Sequence, residues 1–150
     1  MEIKVFDTIP DEARFIRETV FLDEQGFEKE YDENDNIAKH IVIYDSSTAV
    51  ATCRVYWDNE VNCYHIGRIA VLKPYRGKGL GIEVVTQAEK VVTELGGKEI
   101  FISGQLRVAD FYKNKLGYTQ YGETYLEENV PHVALKKLSE TTRMEGYYEK

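Results

Sequence analysis

Two hydrophobic periodicities meet at the centre of the chain. Residues 66–72 are almost continuously apolar and rich in β-branched side chains, which predicts a buried strand that Pro74 ends. Apolar residues then recur at positions 84, 85, 88, 91, 92 and 95, which is the spacing of an amphipathic helix that stops at Gly96-Gly97. The pattern predicts a strand, a short turn and a helix, and the rest of the chain is arranged around them.

Shorter runs on both sides predict the remaining elements. Alternating or apolar runs predict strands at residues 2–6, 39–44, 49–57, 98–103, 118–125 and 132–138. Helical spacing predicts a helix from about residue 11 to 23, with Thr8 or Asp11 as its N-cap, and another over residues 105–115 that Gly117 caps. This order predicts an α/β (α+β) fold: a mixed, mostly antiparallel central sheet flanked by helices, with one β-α-β unit near its middle. We expect one domain over residues 1–138 and a polar tail over 139–150, whose Tyr147-Tyr148 pair is a docking candidate.

Composition narrows the classes of function. The chain has 150 residues, 43% of them hydrophobic, which is typical of one globular domain. A net charge of −7 argues against nucleic acid as a partner. The sequence has no apolar run long enough for a membrane span and no signal-peptide core at its start, so we expect a cytoplasmic protein that needs no membrane.

No metal site is expected. Cys53 and Cys63 match no metal-binding spacing and are predicted to be buried free thiols, although a hairpin near Asp58-Asn59 would make them cross-strand neighbours. The acidic segment 28–36 is expected to be a solvated loop or short helix. It begins like a calcium-binding loop at Asp32, but Ile37 stands where that loop requires glycine, so calcium is rejected.

The turn between the central strand and helix carries the strongest chemical pattern. It reads Arg76-Gly77-Lys78-Gly79-Leu80-Gly81. Glycines let the backbone come close to a ligand, and the first amides of a helix have no acceptor inside it. The helix dipole and two cationic side chains add positive charge. The turn therefore predicts a phosphate site, with a glycine-rich turn that binds nothing as the alternative. It matches neither the P-loop nor the dinucleotide pattern, since Ile82 replaces the last glycine of the latter.

The same turn resembles an acetyl-CoA-binding signature. Arg76, Gly79 and Gly81 match the fixed places of the pattern [RQ]-x-x-G-x-[GA] of the GNAT family of N-acetyltransferases. The resemblance extends over about residues 12 to 138, through Arg17-Glu18-x-Val20-Phe21-x-x-Glu24-Gln25, Lys115-Leu116-Gly117-Tyr118 and Tyr125-x-Glu127-x-x-Val130-Pro131-His132. In these stretches the chain is similar to the small bacterial branch that includes the ElaA and YjcF proteins.

The resemblance implies an acyl-CoA N-acyltransferase fold with acetyl-CoA as the cosubstrate. The residues implied to bind it are Ile69, Ala70 and Val71 at the pantetheine arm, Arg76, Gly77, Lys78, Gly79, Leu80 and Gly81 at the diphosphate, and Gln105 and Tyr112 on the following helix. Tyr112 occupies the place of the acid that protonates the leaving thiolate. If Gln105 and Tyr112 share one helix, they lie on one face roughly 10 Å apart. The alternatives are a helix cap for Gln105 and a core aromatic for Tyr112.

The identity of the general base stays open. Many relatives carry a glutamate on the central strand, where this chain has His65 and Gly67. His132, Glu127, His65 or an ordered water are the candidates, and His132 and Glu127 are preferred because they belong to the recurring motif. The resemblance places Glu24, Gln25 and His40 on the acceptor side. Arg68 points opposite to Ile69 and Val71 on the strand, so it is expected either to face the substrate or to support the residues that do.

These patterns lead to one main hypothesis. We expect an N-acetyltransferase that moves an acetyl group directly to the primary amine of a small molecule, without nucleic acid, membrane or metal, with a homodimer as a candidate assembly. The second hypothesis is an acyl-CoA-binding sensor or a catalytically silent protein of the same fold, which the missing strand glutamate favours. A third is a peptide-modifying enzyme.

Overall fold

The computed structural model describes residues 1–140. The strands are β1 (Glu2–Phe6), β2 (Lys39–Asp45), β3 (Thr48–Asp58), β4 (Cys63–Val71), β5 (Glu99–Gln105), β6 (Thr119–Glu127) and β7 (Val130–Leu138). The α-helices are α1 (Asp11–Arg17), α2 (Leu80–Glu94) and α3 (Ala109–Leu116), a π-helix spans Glu18–Glu24, and 3₁₀ turns lie at Glu33–Asn36, Lys73–Tyr75 and Leu106–Val108. None of the helices in the described part is long and apolar enough to cross a membrane.

The first of two compact units contains residues 1–56 and 66–88. Its strands lie in the order β1-β2-β3-β4, and β1 and β2, like β2 and β3, are antiparallel. Alternation explains the core, since every second side chain of a strand points to one face. Residues of α1, the π-helix, β2, β4 and the position after β4 pack together there, namely Ala13, Ile16, Val20, Phe21, Val42, Tyr44, Ala70 and Leu72.

The first helix differs from the prediction at both ends. Pro10, with extended backbone, precedes α1, and no side chain caps the helix, so the predicted caps Thr8 and Asp11 are wrong. Proline suits a helix entry because it has no amide that would need an acceptor. At the other end, the Gln25 N–H donates to the Val20 carbonyl five residues back at 3.1 Å, which is the wider turn of a π-helix.

The second unit contains residues 57–65 and the chain from Glu89 onward. Its strand order is β4-β5-β7-β6, with β4 parallel to β5 and the other pairs antiparallel. Glu128 and Asn129, both with positive φ, form the two-residue turn between β6 and β7, a backbone that matches the right-handed twist of a hairpin. The predicted fold class, a mixed and mostly antiparallel sheet with flanking helices, is confirmed.

One predicted helix begins later than expected. Gln105 is the last residue of β5, with extended backbone angles of φ −61° and ψ 136°, and it pairs with His132 of β7. The prediction that Gln105 starts a helix and shares a helical face with Tyr112 is therefore wrong, because pairing with a strand from far along the chain outweighs local helical spacing. Gly117, at φ 76°, does cap α3 in the left-handed conformation.

The thiols and the tail complete the comparison with the predictions. Cys53 and Cys63 are buried and free, as predicted, and burial raises the pKa of each thiol. The Ser139 side chain is buried and its N–H donates to the Lys98 carbonyl at 2.9 Å. The Tyr147-Tyr148 docking candidate lies outside the described residues, and the division into one domain and a tail stays a prediction.

Candidate active site

The turn at residues 76–81 leaves open space above its backbone. Gly77 and Gly79 have φ values of +79° and +80°, and a Cβ built on either would meet no heavy atom within 4 Å. Helix α2 begins at Leu80, and the Glu83 N–H donates to the Gly79 carbonyl at 3.0 Å. Amides earlier in the first turn have no acceptor within the helix. An anion can therefore approach the turn at Gly77 and Gly79, where no side chain stands on the backbone.

The guanidinium of Arg76, at the edge of this turn, is held by hydrogen bonds to Glu24 and Val71. Its Nη1 and Nη2 lie 2.6 and 2.7 Å from the two carboxylate oxygens of Glu24, and its Nε donates to the Val71 carbonyl at 2.9 Å. The hydrogen bond to Glu24 raises the pKa of Arg76. The Lys78 ammonium lies 5.5 Å from the centre of the Tyr75 ring. The structure thus brings together Arg76, predicted at the diphosphate, and Glu24, predicted on the acceptor side.

A strained residue precedes the predicted pantetheine-binding stretch. Arg68 lies within β4 but has a φ of +48°, a conformation that costs a non-glycine residue about 1–3 kcal/mol. Its Nε donates to the Glu30 carbonyl at 3.1 Å, and its Nη2 lies 3.5 Å from a carboxylate oxygen of Asp32. The strand continues through half-buried Ile69, buried Ala70 and half-buried Val71. These contacts hold the irregular strand in place.

The acidic segment, predicted to be a solvated loop or short helix, contains the 3₁₀ turn Glu33–Asn36 but buries two of its carboxyl groups. Glu30 and Asp35 are buried, and together with Asp32, Arg17, Arg54 and Arg68 they form what we call the acid–arginine cluster. Its shortest contacts are Arg17 Nε–Glu30 Oε1 at 2.7 Å, Arg17 Nη1–Asp35 Oδ1 at 2.7 Å, Arg54 Nη1–Asp32 Oδ1 at 2.6 Å and Arg54 Nη1–Asp35 Oδ1 at 2.9 Å. Buried charges require such pairing because desolvation penalises each of them.

The electrostatics of the cluster differ between its two buried carboxyl groups, since burial raises the pKa of Glu30 whereas the pKa of Asp35 is lowered. Burial by itself would raise the pKa of Asp35, but the hydrogen bonds and charges of Arg17 and Arg54 outweigh it and hold that pKa well below its ordinary range. His40 is 1% exposed, its Nε2–H donates to the Asp35 carbonyl at 3.0 Å, and burial lowers its pKa. Of the two remaining residues predicted on the acceptor side, Arg68 belongs to this cluster and Gln25 ends the π-helix.

Strand register places a second polar group in the other unit. His132 of β7 lies opposite Gln105 of β5 and opposite Tyr125 of β6. Directly opposed residues point to the same face of a sheet, as do residues two apart on one strand. Ser103 and Glu127 therefore join the same face. We call Ser103, Tyr125, Glu127 and His132 the Ser103 network.

The network is connected by hydrogen bonds. Ser103 Oγ donates to Glu127 Oε1 at 2.9 Å, so the Tyr125 hydroxyl, 2.6 Å from the same Oγ, is its donor. The His132 Nδ1–H donates to the Val130 carbonyl at 2.7 Å, and His132 Nε2 lies 3.6 Å from Glu127 Oε2. Burial raises the pKa of Tyr125. When His132 is neutral, this contact puts its proton on Nδ1 and leaves a lone pair on Nε2.

Tyr112, the predicted acid, packs on the opposite face of the same strands. A Cβ built on Gly104 would lie 3.0 Å from the Tyr112 ring. Gly104 alternates with Ser103 and Gln105, so its Cβ direction is the other face of β5. The second unit therefore carries the predicted acid and the preferred bases on opposite faces. His65, a further base candidate, has its Nδ1 2.9 Å from Asp58 Oδ2 and its ring against Phe101.

Sequence reasoning missed part of both polar groups. Ser103 and Arg54 were not singled out, and Arg17 was read only as part of a motif. One observable pattern indicated Arg17: it falls at i+4 from Ala13 on the face of the first helix that is otherwise apolar. Ser103 carried no such pattern, because its role depends on the register between strands that are distant in sequence.

Comparisons with known proteins bear on the family and the fold of this chain. Residues 5–118 match the model of the acetyltransferase (GNAT) family. YjcF of Bacillus subtilis, named an uncharacterized N-acetyltransferase, is 33% identical over 129 residues, which cover 84% of this chain and 90% of that protein. Among solved structures, Escherichia coli ElaA has a TM-score of 0.80 at 21% identity, covering 91% of this chain and 99% of ElaA. An acyl-CoA N-acyltransferase from Pseudomonas aeruginosa has a TM-score of 0.77 at 20% identity, covering 91% and 98% of the two chains. At these identities the two structures establish the fold.

Proposed function

This chain belongs to the acetyltransferase (GNAT) family, and we propose that it moves an acetyl group directly from acetyl-CoA to the primary amine of a small molecule. The enzyme class follows from the family, whereas the acetyl donor and the acceptor are the proposal. The proposal includes a cytoplasmic location, needs no metal and leaves a homodimer as the candidate assembly.

The observation that carries the proposal is the open glycine turn at the start of α2. Gly77 and Gly79 adopt positive φ, and no atom occupies the place of their absent side chains. The diphosphate of acetyl-CoA is an anion that such amides bind, with help from the positive end of the helix dipole. On the adjoining strand, Ile69, Ala70 and Val71 supply main-chain donors and acceptors for the pantetheine arm.

The proposed reaction has three proton transfers. The acceptor arrives as an ammonium ion and gives up one proton to His132 or Glu127 before the attack. The neutral amine attacks the thioester carbon, the carbon–sulfur bond breaks, the thiolate takes a proton from the Tyr112 hydroxyl, and the amide nitrogen loses its excess proton to solvent. If Tyr112 is the acid, Tyr112→Phe lowers kcat about 100-fold while acetyl-CoA still binds; unchanged turnover would remove this assignment.

The cofactor part is tested by thermal unfolding with two ligands. Acetyl-CoA at 100 times its Kd should raise the melting temperature by about 5–10 °C. Acetyl-pantetheine, which lacks the diphosphate, should raise it much less at the same concentration. No shift with acetyl-CoA at saturating concentration would overturn the proposal.

A matched pair of glycine variants locates the binding. Gly79 and Gly96 have φ values of +80° and +77°, and neither has a heavy atom within 4 Å of its ideal Cβ. Alanine at either position costs about 1–2 kcal/mol of backbone strain. Only Gly79→Ala should also abolish the acetyl-CoA shift, because its methyl group stands where the diphosphate would approach. Equal losses of binding in both variants would contradict a diphosphate site at this turn.

Turnover separates the enzyme from the sensor. Release of free thiol from acetyl-CoA in the presence of a panel of primary amines measures the transfer directly. An amine-dependent rate supports the proposal. Binding of acetyl-CoA without release of thiol in the presence of any amine would instead favour the acyl-CoA-binding sensor. The absence of a glutamate at positions 65 and 67 is the sequence feature that favours the sensor.

A further inference from the structure

The Ser103 network contains two hydroxyl groups to which the proposed reaction gives no role. The Tyr125 hydroxyl contacts Ser103 Oγ at 2.6 Å, and Ser103 contacts one oxygen of Glu127 at 2.9 Å. We propose that Ser103 and Tyr125 are positioning residues, which hold the Glu127 carboxylate turned towards His132 so that the pair can receive the acceptor's proton. This inference rests on the proposed function and names the residues that make its base effective.

The hydrogen bonds have a single direction. A carboxylate only accepts, so Ser103 must donate to Glu127, and its oxygen then accepts the proton of Tyr125. One carboxylate oxygen, Oε1, is used in this way, and the other, Oε2, lies 3.6 Å from His132 Nε2. Glu127 is half exposed, and an exposed carboxylate on a strand end samples several rotamers unless a contact selects one. The Ser103 hydrogen bond selects the rotamer that faces the imidazole.

The imidazole is oriented independently of that contact. His132 is 6% exposed, its Nδ1–H donates to the Val130 carbonyl, and the Tyr125 ring stacks on the imidazole at 6.3 Å between centres. Its free position is therefore Nε2. A proton taken up there makes an imidazolium ion that the Glu127 carboxylate stabilises, as a carboxylate orients and supports a histidine base in other enzymes.

The protons balance along this route. The acceptor's ammonium transfers one proton to His132 Nε2, and the neutral amine attacks the thioester carbon. The carbon–sulfur bond breaks, and the sulfur leaves with the bonding electron pair and takes a proton from the Tyr112 hydroxyl, which solvent protonates again. His132 passes its first proton to solvent, and the pair then takes the remaining excess proton from the amide nitrogen and passes it to solvent as well. The sum is ammonium plus acetyl-CoA giving amide, coenzyme A thiol and one proton.

The other polar neighbour of His132 is Gln105. It lies opposite His132 on β5, and its side-chain oxygen accepts a hydrogen bond from Arg107 Nε at 2.9 Å. The groups that face His132 from the paired strands are thus Gln105 on β5 and Tyr125 and Glu127 on β6. Among them Glu127 alone carries a negative charge at neutral pH, which makes its position decisive.

The test uses the full chain and the amine that gives the fastest thiol release in the panel. Ser103→Ala should lower kcat about 10- to 100-fold, the effect of losing a hydrogen bond to a charged group, while the KM for acetyl-CoA changes less than about twofold. Ser103→Thr, which keeps the hydroxyl, should restore kcat to within about threefold of wild type. Thr119→Ala, an exposed hydroxyl on β6 outside the network, is the matched control and should leave kcat unchanged.

A double variant tests whether the Tyr125 hydroxyl acts through Ser103. Tyr125→Phe keeps the ring stacked on His132 but removes the hydroxyl, so it should lower kcat by less than Ser103→Ala. If Tyr125 acts through Ser103, the double variant is no slower than Ser103→Ala alone, because interacting residues are not additive.

Three results overturn the inference. They are an unchanged kcat in Ser103→Ala, a failure of Ser103→Thr to rescue although it melts as wild type does, and simple additivity in the double variant. If wild-type protein itself releases no thiol with any amine, the proposed function fails and this inference with it. An active wild type with unaffected variants removes the inference alone.

Discussion

The two polar clusters of this chain are built on opposite principles. In the acid–arginine cluster of the first unit, full charges are buried, and Arg17 and Glu30 are both 1% exposed in their side chains. In the Ser103 network of the second unit, hydroxyl groups and an imidazole surround one carboxylate that is 50% exposed. In the first arrangement, the arginines donate their hydrogen bonds to carboxylates of the same cluster. The second leaves one carboxylate oxygen, Glu127 Oε2, outside the Ser103 hydrogen bond and 3.6 Å from His132 Nε2.

This difference indicates what each cluster can do. A group serves as an acid or base when its pKa lies near the working pH. Asp35 is far from that range, because Arg17 and Arg54 outweigh its burial and hold its pKa low. It therefore stays charged and acts as an anchor for α1, β3 and the acidic segment. The residues of the second cluster are held by single hydrogen bonds that a proton transfer can rearrange.

The largest effect should come from breaking the buried cluster. Arg17→Met removes three hydrogen bonds to Glu30 and Asp35 side chains and one to the Glu30 carbonyl. It leaves two buried carboxylates with fewer partners, which costs about 3–5 kcal/mol of unfolding free energy. Urea denaturation measures the loss.

Arg14→Ala is the control for that variant. Arg14 lies in the same helix but is exposed, with its guanidinium over the Tyr31 ring at 5.0 Å. Its loss should cost at most about 1 kcal/mol. If both variants lose the same stability, the cluster is not the anchor described here.

The second largest effect should fall on turnover and not on stability. Glu127→Gln keeps the size of the side chain and an acceptor for Ser103 but removes the charge beside His132. We expect kcat about 100-fold lower, the scale of losing general base assistance, with the urea midpoint nearly unchanged because the carboxylate is half exposed. If Glu127→Gln had a much lower urea midpoint than wild type but an unchanged kcat, the contrast between the two clusters would be reversed.

What the sequence could predict follows the range of the interactions. The strand, glycine turn and helix at residues 66–95 were readable because periodicity and glycine conformation are local properties. The left-handed Gly77 and Gly79 are part of that local pattern. The family resemblance added the roles of Tyr112, Glu127 and His132, which stay predictions.

The errors arose where distant residues decide. The prediction that the whole acidic segment is solvated is wrong because its partners, Arg17 and Arg54, come from α1 and β3. Gln105 seemed helical because its pairing with His132 is 27 positions away in the chain, the difference of the two residue numbers. Charge composition and helical spacing carry no information on such contacts, which belong to the tertiary structure.

A smaller effect is expected in the pH dependence of the stability that Asp35 contributes. The folded-state pKa of Asp35 lies below its ordinary value of 3.8. A depressed pKa contributes stability that is present above the unfolded value and is lost as the pH falls through the folded value. The stability gap between wild type and Asp35→Asn should thus be full near pH 6 and narrow steadily below about pH 4. Urea midpoints measured from pH 6 to pH 2.5 would show it, and a gap independent of pH would contradict the assignment.

The smallest predicted effect concerns Arg68, the member of the cluster that carries backbone strain. Arg68→Ala loses the contacts to Glu30 and Asp32 and keeps a φ of +48°. Its stability is therefore lowered by the lost contacts, and the backbone strain remains. Arg68→Gly loses the same contacts but relieves the strain, since glycine adopts positive φ freely. The glycine variant should therefore be more stable than the alanine variant by about 1 kcal/mol. At an ordinary strand position the order reverses, because glycine is the worse strand residue. Thr52, on β3, provides that control as Thr52→Ala and Thr52→Gly. If alanine were the better replacement at position 68 as well, the left-handed backbone would not be a source of strain, and the cluster would have no irregular strand to hold.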